Sequence, residues 1–244
     1  MSELSSNYQD DLIAALRAPS YPITEVSRLV GITRYRTRRW LKGYEYKYKG
    51  NGGKALFDGS QESLVNRGIT KEIVYASFLE LIDLLFVKEF VNAGLSLPRI
   101  RKALDETRKR TGAIHFASNK FITSGKDIVL EVSGNNPSMI VLLTGGQSAI
   151  PNIFERIGTR VDYEKITGME YASRWFPEGR DGMIVVDPQI SFGRPTIIGR
   201  RVTTASVFEL FKGENKQFDS VSQWLDIPNA QVQAAVNYEY SLAA

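Results

Sequence analysis

Apolar residues spaced by three and four mark most of the secondary structure of this chain, and alternating runs mark the rest. Leu12, Ile13 and Leu16 give a short amphipathic helix over Tyr8–Leu16, ended by Pro19 and Pro22. Val26, Leu29 and Val30 give a second over Glu25–Leu29, with Thr24 as its expected cap and Gly31 in the following turn. Thr33 is the expected cap of a third, Arg34–Leu41, with Thr37, Trp40 and Leu41 facing inward. Tyr44–Lys49 alternates aromatic and basic residues, Asn51-Gly52-Gly53 is a turn signal, and Ala55-Leu56-Phe57 follows, which reads as a hairpin. Ser60–Ile69 is a polar connection. Thr70 would cap a long helix, Lys71–Asn92, with one broad apolar face. Gly94 ends it, Leu97-Pro98 opens a further helix over Arg99–Arg110, and Gly112 stops that one.

Beyond Ile114 the pattern turns to β. HFASNKFIT, DIVLEVS and MIVLLT look like three strands separated by Gly125, Gly134 and Asn135-Asn136-Pro137, and Gly145-Gly146 reads as a plain turn without a P-loop lysine. A short helix at Ile150–Ile157 and a strand at Arg160–Tyr163 follow. His115, the single histidine, reads as a packed or hydrogen-bonded linker residue. Ile184–Val186 and Pro195–Val202 would be two strands about a Gly193-Arg194-Pro195 turn. Three helices then follow: Thr204–Lys212 capped by Thr203 or Thr204, Phe218–Leu225, and Asn229–Tyr240. Val207, Phe208, Leu210, Phe211, Val221, Trp224, Leu225, Val232, Ala235 and Val236 would form their core. The expected fold class is α+β, mainly α. Its parts are a winged helix-turn-helix over residues 1–112, a β-rich segment over 113–168, and a β-hairpin with three helices over 169–244.

Charge sharpens this picture. Between Arg28 and Lys54 stand nine cations and one acid, a local charge of +8 on a chain of net charge +4. The remainder of the chain is therefore mildly acidic, and the basic island is the footprint of a polyanion-binding face. The inward placing of Trp40 and Leu41 leaves Arg34, Tyr35, Arg36, Arg38 and Arg39 outside or flanking. Arginine's planar fork pairs with guanine edges or clamps phosphates, so such a helix suits a major groove. A hairpin carrying Lys47, Lys49 and Lys54 would grip the backbone beside it. The candidate DNA contacts are Thr33, Arg34, Tyr35, Arg36, Arg38, Arg39, Lys42, Lys47, Lys49 and Lys54. The last helix, Asn229–Tyr240, holds no lysine or arginine and suits a dimer or partner role instead.

Composition narrows the chemistry. Cysteine is absent, which excludes disulfides, thiolate metal sites and cysteine nucleophiles and fits a reducing compartment. One histidine leaves no multi-histidine metal site, and no cofactor motif is present. Asp181 and Asp187 flank a strand, but no acids stand at a recognisable catalytic spacing, so an enzyme is poorly supported. No run of about 18 apolar residues occurs, and the polar, acidic N-terminus is unlike a secretory signal.

From Tyr21 to about Gly112 the chain resembles a MerR-type winged helix. The likeness rests on Ile23-Thr24-Glu25-Val26-Ser27-Arg28-Leu29-Val30-Gly31-Ile32-Thr33, on Arg38-Arg39-Trp40, and on Gly94-Leu95-Ser96 leading to Ile100. It implies a dimer on duplex DNA, with Arg34, Tyr35, Arg38 and Arg39 facing the duplex. Thr37 stands where that family usually has an apolar residue, and the β pattern after Gly112 replaces its long coiled coil. The stretch after Glu170 resembles a small antitoxin domain long described as of unknown function. Its carrying residues are Ile184-Val185-Val186-Asp187-Pro188, Gly193-Arg194-Pro195 and Ile198-Gly199-Arg200-Arg201-Val202. The two together look like VapB-type antitoxins. That resemblance implies a cytoplasmic, nucleoid-associated homodimer that binds operator DNA, neutralises a PIN-like toxin ribonuclease and represses its own operon. Arg194, Arg200 and Arg201 would be candidates to enter the toxin's acidic site. The alternative is a MerR-like transcription regulator without a toxin partner.

Overall fold

A computed structural model describes residues 6–49, 56–65, 75–112, 114–118 and 149–243. The fold is α+β and mainly helical, with small, separate two-stranded antiparallel sheets among the described residues. Helix α1 (Ser6–Arg17) leads to a two-residue strand β1 (Tyr21–Pro22) and then to α2 (Ile23–Val30). Pro22 occupies the cap position of α2 in an extended conformation, and no side chain caps it. Thr24, the expected cap, lies inside the first turn, because β1 pairs with Tyr75–Ala76 and delivers the chain into helix at Ile23.

Gly31 follows α2 at φ 68°, the left-handed conformation open to glycine, and its N–H reaches the Ser27 carbonyl at 3.0 Å. Helix α3 (Arg34–Lys42) starts where its sequence signal places it, with the Thr33 side chain accepting from the Arg36 N–H at 3.3 Å. Strands β2 (Tyr44–Lys49) and β3 (Leu56–Gln61) form the expected hairpin, in register from Tyr44–Gln61 to Lys49–Leu56. The Asn51-Gly52-Gly53 turn and Ala55 lie outside the described residues.

Helix α4 (Phe78–Asn92) begins later than its apolar pattern suggests, after the short strand β4 (Tyr75–Ala76). Thr70 and Lys71–Val74 lie outside the described residues. The start is fixed by a capping box: the Ser77 N–H donates to Glu80 Oε2 at 2.7 Å, and the Glu80 N–H donates to Ser77 Oγ at 3.3 Å. The helix is buried on nearly all sides rather than on one face, Glu80 and Asp83 included. Helix α5 (Leu97–Thr111) closes the head, with Gly112 after it.

Residues His115–Ser118, expected to open a strand, form a turn in which the Ser118 N–H bonds the His115 carbonyl at 3.2 Å, and Ser118 then makes an antiparallel bridge to Tyr171, with the Ala172 N–H on the Ala117 carbonyl at 2.7 Å. The other two expected strands, DIVLEVS and MIVLLT, lie outside the described residues, as do Gly125, Asn135-Asn136-Pro137 and Gly145-Gly146. Helix α6 (Ala149–Gly158) leads into a hairpin of β5 (Val161–Ile166) and β6 (Met169–Trp175). Residue 168, where a division is expected, lies in the turn between these paired strands. This hairpin and α6 share a continuous core with α1–α5.

A second core lies among Ile184, Ile197 and the last three helices: α7 (Thr204–Gly213), α8 (Phe218–Leu225) and α9 (Asn229–Ala243). Its strands β7 (Ile184–Val185) and β8 (Thr196–Ile197) are shorter than expected. Ile198–Val202 turns instead of extending, because the Arg200 N–H reaches back to the Ile197 carbonyl at 3.0 Å. Thr203 caps α7, accepting from the Ser206 N–H at 3.1 Å. Val207, Phe211, Val221, Val232, Ala235 and Val236 are buried as expected, but Trp224 is 71% exposed. The left-handed residue Asp226 folds Ile227 back onto the core, and Ile227 takes the inward place.

His115 has the orienting acid that its sequence neighbourhood lacks. Its Nδ1 lies 2.7 Å from Asp83 Oδ2, and Asp83 Oδ1 accepts the Ala117 N–H at 3.1 Å. Burial alone disfavours the imidazolium, but the Asp83 carboxylate, helped by Glu80 against Arg108, overrides it and raises the His115 pKa. A pKa above the ordinary value of about 6.5 contributes stability that is fully present below that pH and lost as pH rises through the folded value. Thermal unfolding followed by circular dichroism should therefore show Tm falling as pH is raised from about 6.5. His115→Gln should flatten that slope, and an unchanged slope in the variant would assign it to other groups.

Candidate nucleic-acid interface

The two faces of α3 do different work. Thr37, Trp40 and Leu41 point into the core. Thr37 is fully buried yet satisfied, its hydroxyl donating to the Thr33 carbonyl at 3.1 Å, which lets a polar residue stand at an apolar position. Arg34, Tyr35, Arg36 and Arg38 are exposed, Tyr35 at 65%. The Arg34, Arg36 and Arg38 side chains make no ion pair or hydrogen bond among the described residues. Three guanidinium groups on one short helix, left without internal partners, are available to an outside anion.

Arg39 differs. It is half-buried, its Nη1 donates to Tyr35 Oη at 2.6 Å, and its guanidinium carbon sits 3.4 Å from the centre of the Tyr44 ring. It therefore joins α3 to the first strand of the hairpin and holds the Tyr35 ring. Tyr44, which sequence reasoning left out of the site, is the platform beneath it. The signal was the period-two spacing of Tyr44, Tyr46 and Tyr48, which places these positions on one side of a strand.

Not every cation of the basic island reaches this face. Lys42 is only 7% exposed and has interactions of its own, so it leaves the row. Ser63–Val65 packs over the end of α3, with the Leu64 N–H on the Trp40 carbonyl at 2.8 Å. Lys47 is exposed on β2 opposite Asp58. Lys49 ends β2 opposite Leu56, and Lys54 lies outside the described residues. Thr33 keeps its place at the head of α3 as the cap.

Arg28 is also spent internally. Its Nη1 donates to Glu239 Oε2 of α9 at 2.6 Å, and its Nη2 donates to Glu25 Oε1 at 2.9 Å. The other Glu239 oxygen accepts the Thr204 hydroxyl. Burial works against the Arg28 charge, but the two carboxylates outweigh it and raise its pKa. The last turn of α2 is thereby tied to the C-terminal unit, and the Lys88 ammonium grips the same turn by donating to the Val30 carbonyl at 2.8 Å.

The three arginines expected to meet a toxin are not brought together. Arg194 is exposed just after a single 3-10 turn (Ser191–Gly193), at one end of the β7–β8 hairpin. Arg200 and Arg201 are exposed on the turn at its other end. Asp187, buried at the start of the loop that carries Arg194, is engaged by Arg174 Nε at 3.1 Å and by the Gln189 N–H at 2.9 Å. No group of acids and histidine suited to hold a metal ion occurs among the described residues. No helix there is long and apolar enough to cross a membrane.

Comparison with known proteins places these features. Residues 184–238 match a family described as a protein of unknown function, DUF433. The chain is 26% identical over 234 residues to the protein Rv2308 of Mycobacterium tuberculosis, across 91% of this chain and 92% of that one. It is 24% identical over 200 residues to the protein named "Putative antitoxin VapB45" of the same organism, across 78% of this chain and 81% of that one. The crystal structure of Rv2018 from Mycobacterium tuberculosis matches with a TM-score of 0.64 at 20% identity, over 91% of this chain and 99% of that one. At that identity the structural likeness is one of fold. The chain is a distant homologue of a protein named as an antitoxin, and its last unit carries the DUF433 match.

The geometry separates Arg38 from its neighbour. Arg39→Ala should lower Tm, since it removes a stacked guanidinium and a hydrogen bond together worth about 1–2 kcal/mol. Arg38→Ala should leave Tm unchanged. Equal effects of the two on thermal unfolding would contradict the structural role of Arg39.

Proposed function

We propose that this chain is the DNA-binding antitoxin of a toxin–antitoxin pair. Its α2–α3 pair and β2–β3 hairpin act as a MerR-like winged helix-turn-helix, and it represses its own operon as a homodimer on an inverted repeat. Its remaining surface neutralises a PIN-like ribonuclease toxin. The observation that carries the DNA reading is the exposed, internally unpartnered set of Arg34 and Arg38 on one side of Tyr35 and Arg36 on the other. A helix whose outer face carries such a set fits the major groove, where arginine reads guanine edges and clamps phosphates. Exposed Lys47, on the hairpin that Arg39 and Tyr44 hold against α3, suits a flanking phosphate. The antitoxin reading is supported by the distant relative named as an antitoxin and by the DUF433 match. The role is binding rather than catalysis.

The DNA reading is tested by gel shift on the segment upstream of the chain's own gene. Replacing Arg34 and Arg38 together by alanine should weaken binding at least about tenfold, with circular dichroism unchanged. The slope of log affinity against log salt should fall by about 0.9 for each phosphate contact removed. Full retention of binding would refute the α3 interface. The toxin reading is tested by co-expression with the product of the adjacent open reading frame. Rescue of growth and co-purification are expected. A regulator without a toxin would pass the gel shift and fail here.

A further inference from the structure

Among the aromatic rings that the C-terminal unit leaves exposed, Phe192 stands out furthest, ahead of Trp224. It is 83% exposed, the highest value among the exposed large apolar side chains of the described residues. It is held at φ 56°, ψ 34°, directly after Ser191 at φ 51°. Two successive non-glycine residues in the left-handed region carry backbone strain, and surroundings must hold them there.

The surroundings do. The Ile190 N–H reaches the Asp187 carbonyl at 2.9 Å, the Gly193 N–H reaches Ile190 at 3.0 Å, and the Arg194 N–H reaches Ser191 at 3.2 Å. Buried Tyr21 donates its hydroxyl to the Gly193 carbonyl at 2.9 Å. A side chain at Gly193 would collide with that phenol, so the close approach needs glycine. Asp187, at the base of the turn, is fixed by Arg174. The backbone is therefore clamped on both sides of a ring that points into solvent. A rigid aromatic of this kind loses little freedom on binding, which is what an interface anchor requires.

The flanking chemistry selects the occupant. Exposed Arg194 follows two residues later, and both residues border a cleft of about 210 Å³ with Pro22, Arg28 and Thr203. The cleft's one acid, Glu25, is bound to Arg28. The charged group at this rim that has no internal ion pair among the described residues is the cation Arg194. Two copies meeting here about a two-fold axis would set Arg194 against Arg194, which disfavours a second copy of this chain. We propose that Phe192 and Arg194 are the anchor that docks on the toxin nuclease. The ring enters an apolar pocket, and the guanidinium meets carboxylates at its edge. This rests on the antitoxin reading above and places Phe192 at the centre of the contact, with Arg200 and Arg201 outside it.

The test uses full-length chain and the purified product of the adjacent open reading frame, with affinity measured by calorimetry. Phe192→Ala should weaken the complex about tenfold or more. Phe192→Gly should weaken it as much while raising Tm by about 2–4 °C, since glycine relieves the left-handed strain. Loss of binding in a more stable protein excludes misfolding as the cause. The pair Arg200→Glu and Arg201→Glu should leave affinity within about twofold, as expected of charges away from the contact centre. Wild-type binding that both Phe192 variants retain would overturn the anchor and leave the antitoxin reading standing. Absence of wild-type binding would remove that reading and the anchor with it.

Discussion

A helix buried on nearly every side must satisfy each polar group it carries, and α4 meets that requirement by spending each one on a different neighbour. Glu80 closes its own N-terminus through Ser77. Asp83 holds His115 and the Ala117 N–H. Lys88 holds the last turn of α2 through the Val30 carbonyl, and Glu89 meets Arg156 of α6 at 2.8 Å. Between these polar ties, Phe86 and Phe90 stack with Phe116 and Phe154, so the same helix is also the apolar centre. An unpaired buried carboxylate would cost several kcal/mol. Burial of α4 therefore fixes where the head, the 114–118 turn and α6 can sit.

The second junction is ionic. Glu239 is only 5% exposed and receives both Arg28 and Thr204. Removing one member of a fully buried pair costs roughly 3–5 kcal/mol, and the 32% exposure of Arg28 places this one below that range. Its consequence is geometric. The last turn of α2 is gripped by Lys88 at Val30 and by Glu239 at Arg28, and α3 follows it across a single glycine turn. The exposed arginines of α3 are thus presented from a frame anchored to both cores.

What could be read from the sequence divides along the range of the interaction. The Thr33 cap, the α3 span, the β2–β3 hairpin and Phe218–Leu225 rest on contacts within a few residues, and all were legible. The start of α4 was not, because the apolar period continues upstream while the Ser77–Glu80 box decides the boundary. Asp83 and His115 are 32 residues apart, and nothing in either neighbourhood announces the pair. Trp224 looked like core because helical spacing cannot foresee that Ile227 returns to the same place. Arg194, Arg200 and Arg201 are close in sequence, yet a short hairpin puts them at opposite ends.

The same distinction corrects the charge count. A window of +8 suggests a broad cationic face, but charge on a sequence is not charge on a surface. Arg28 is neutralised by two carboxylates, Lys42 is buried, and Arg39 is occupied by two tyrosines. What remains on α3 is three guanidinium groups in one and a half turns, a smaller set held more firmly. Exposed charges scattered over mobile side chains gain little from any one partner, since each must be ordered on contact. A small set on a capped helix, braced by an arginine–tyrosine stack, has part of that ordering done in advance. The cations that fell out of the count are therefore not lost to the interface, because they build the frame that aims the others.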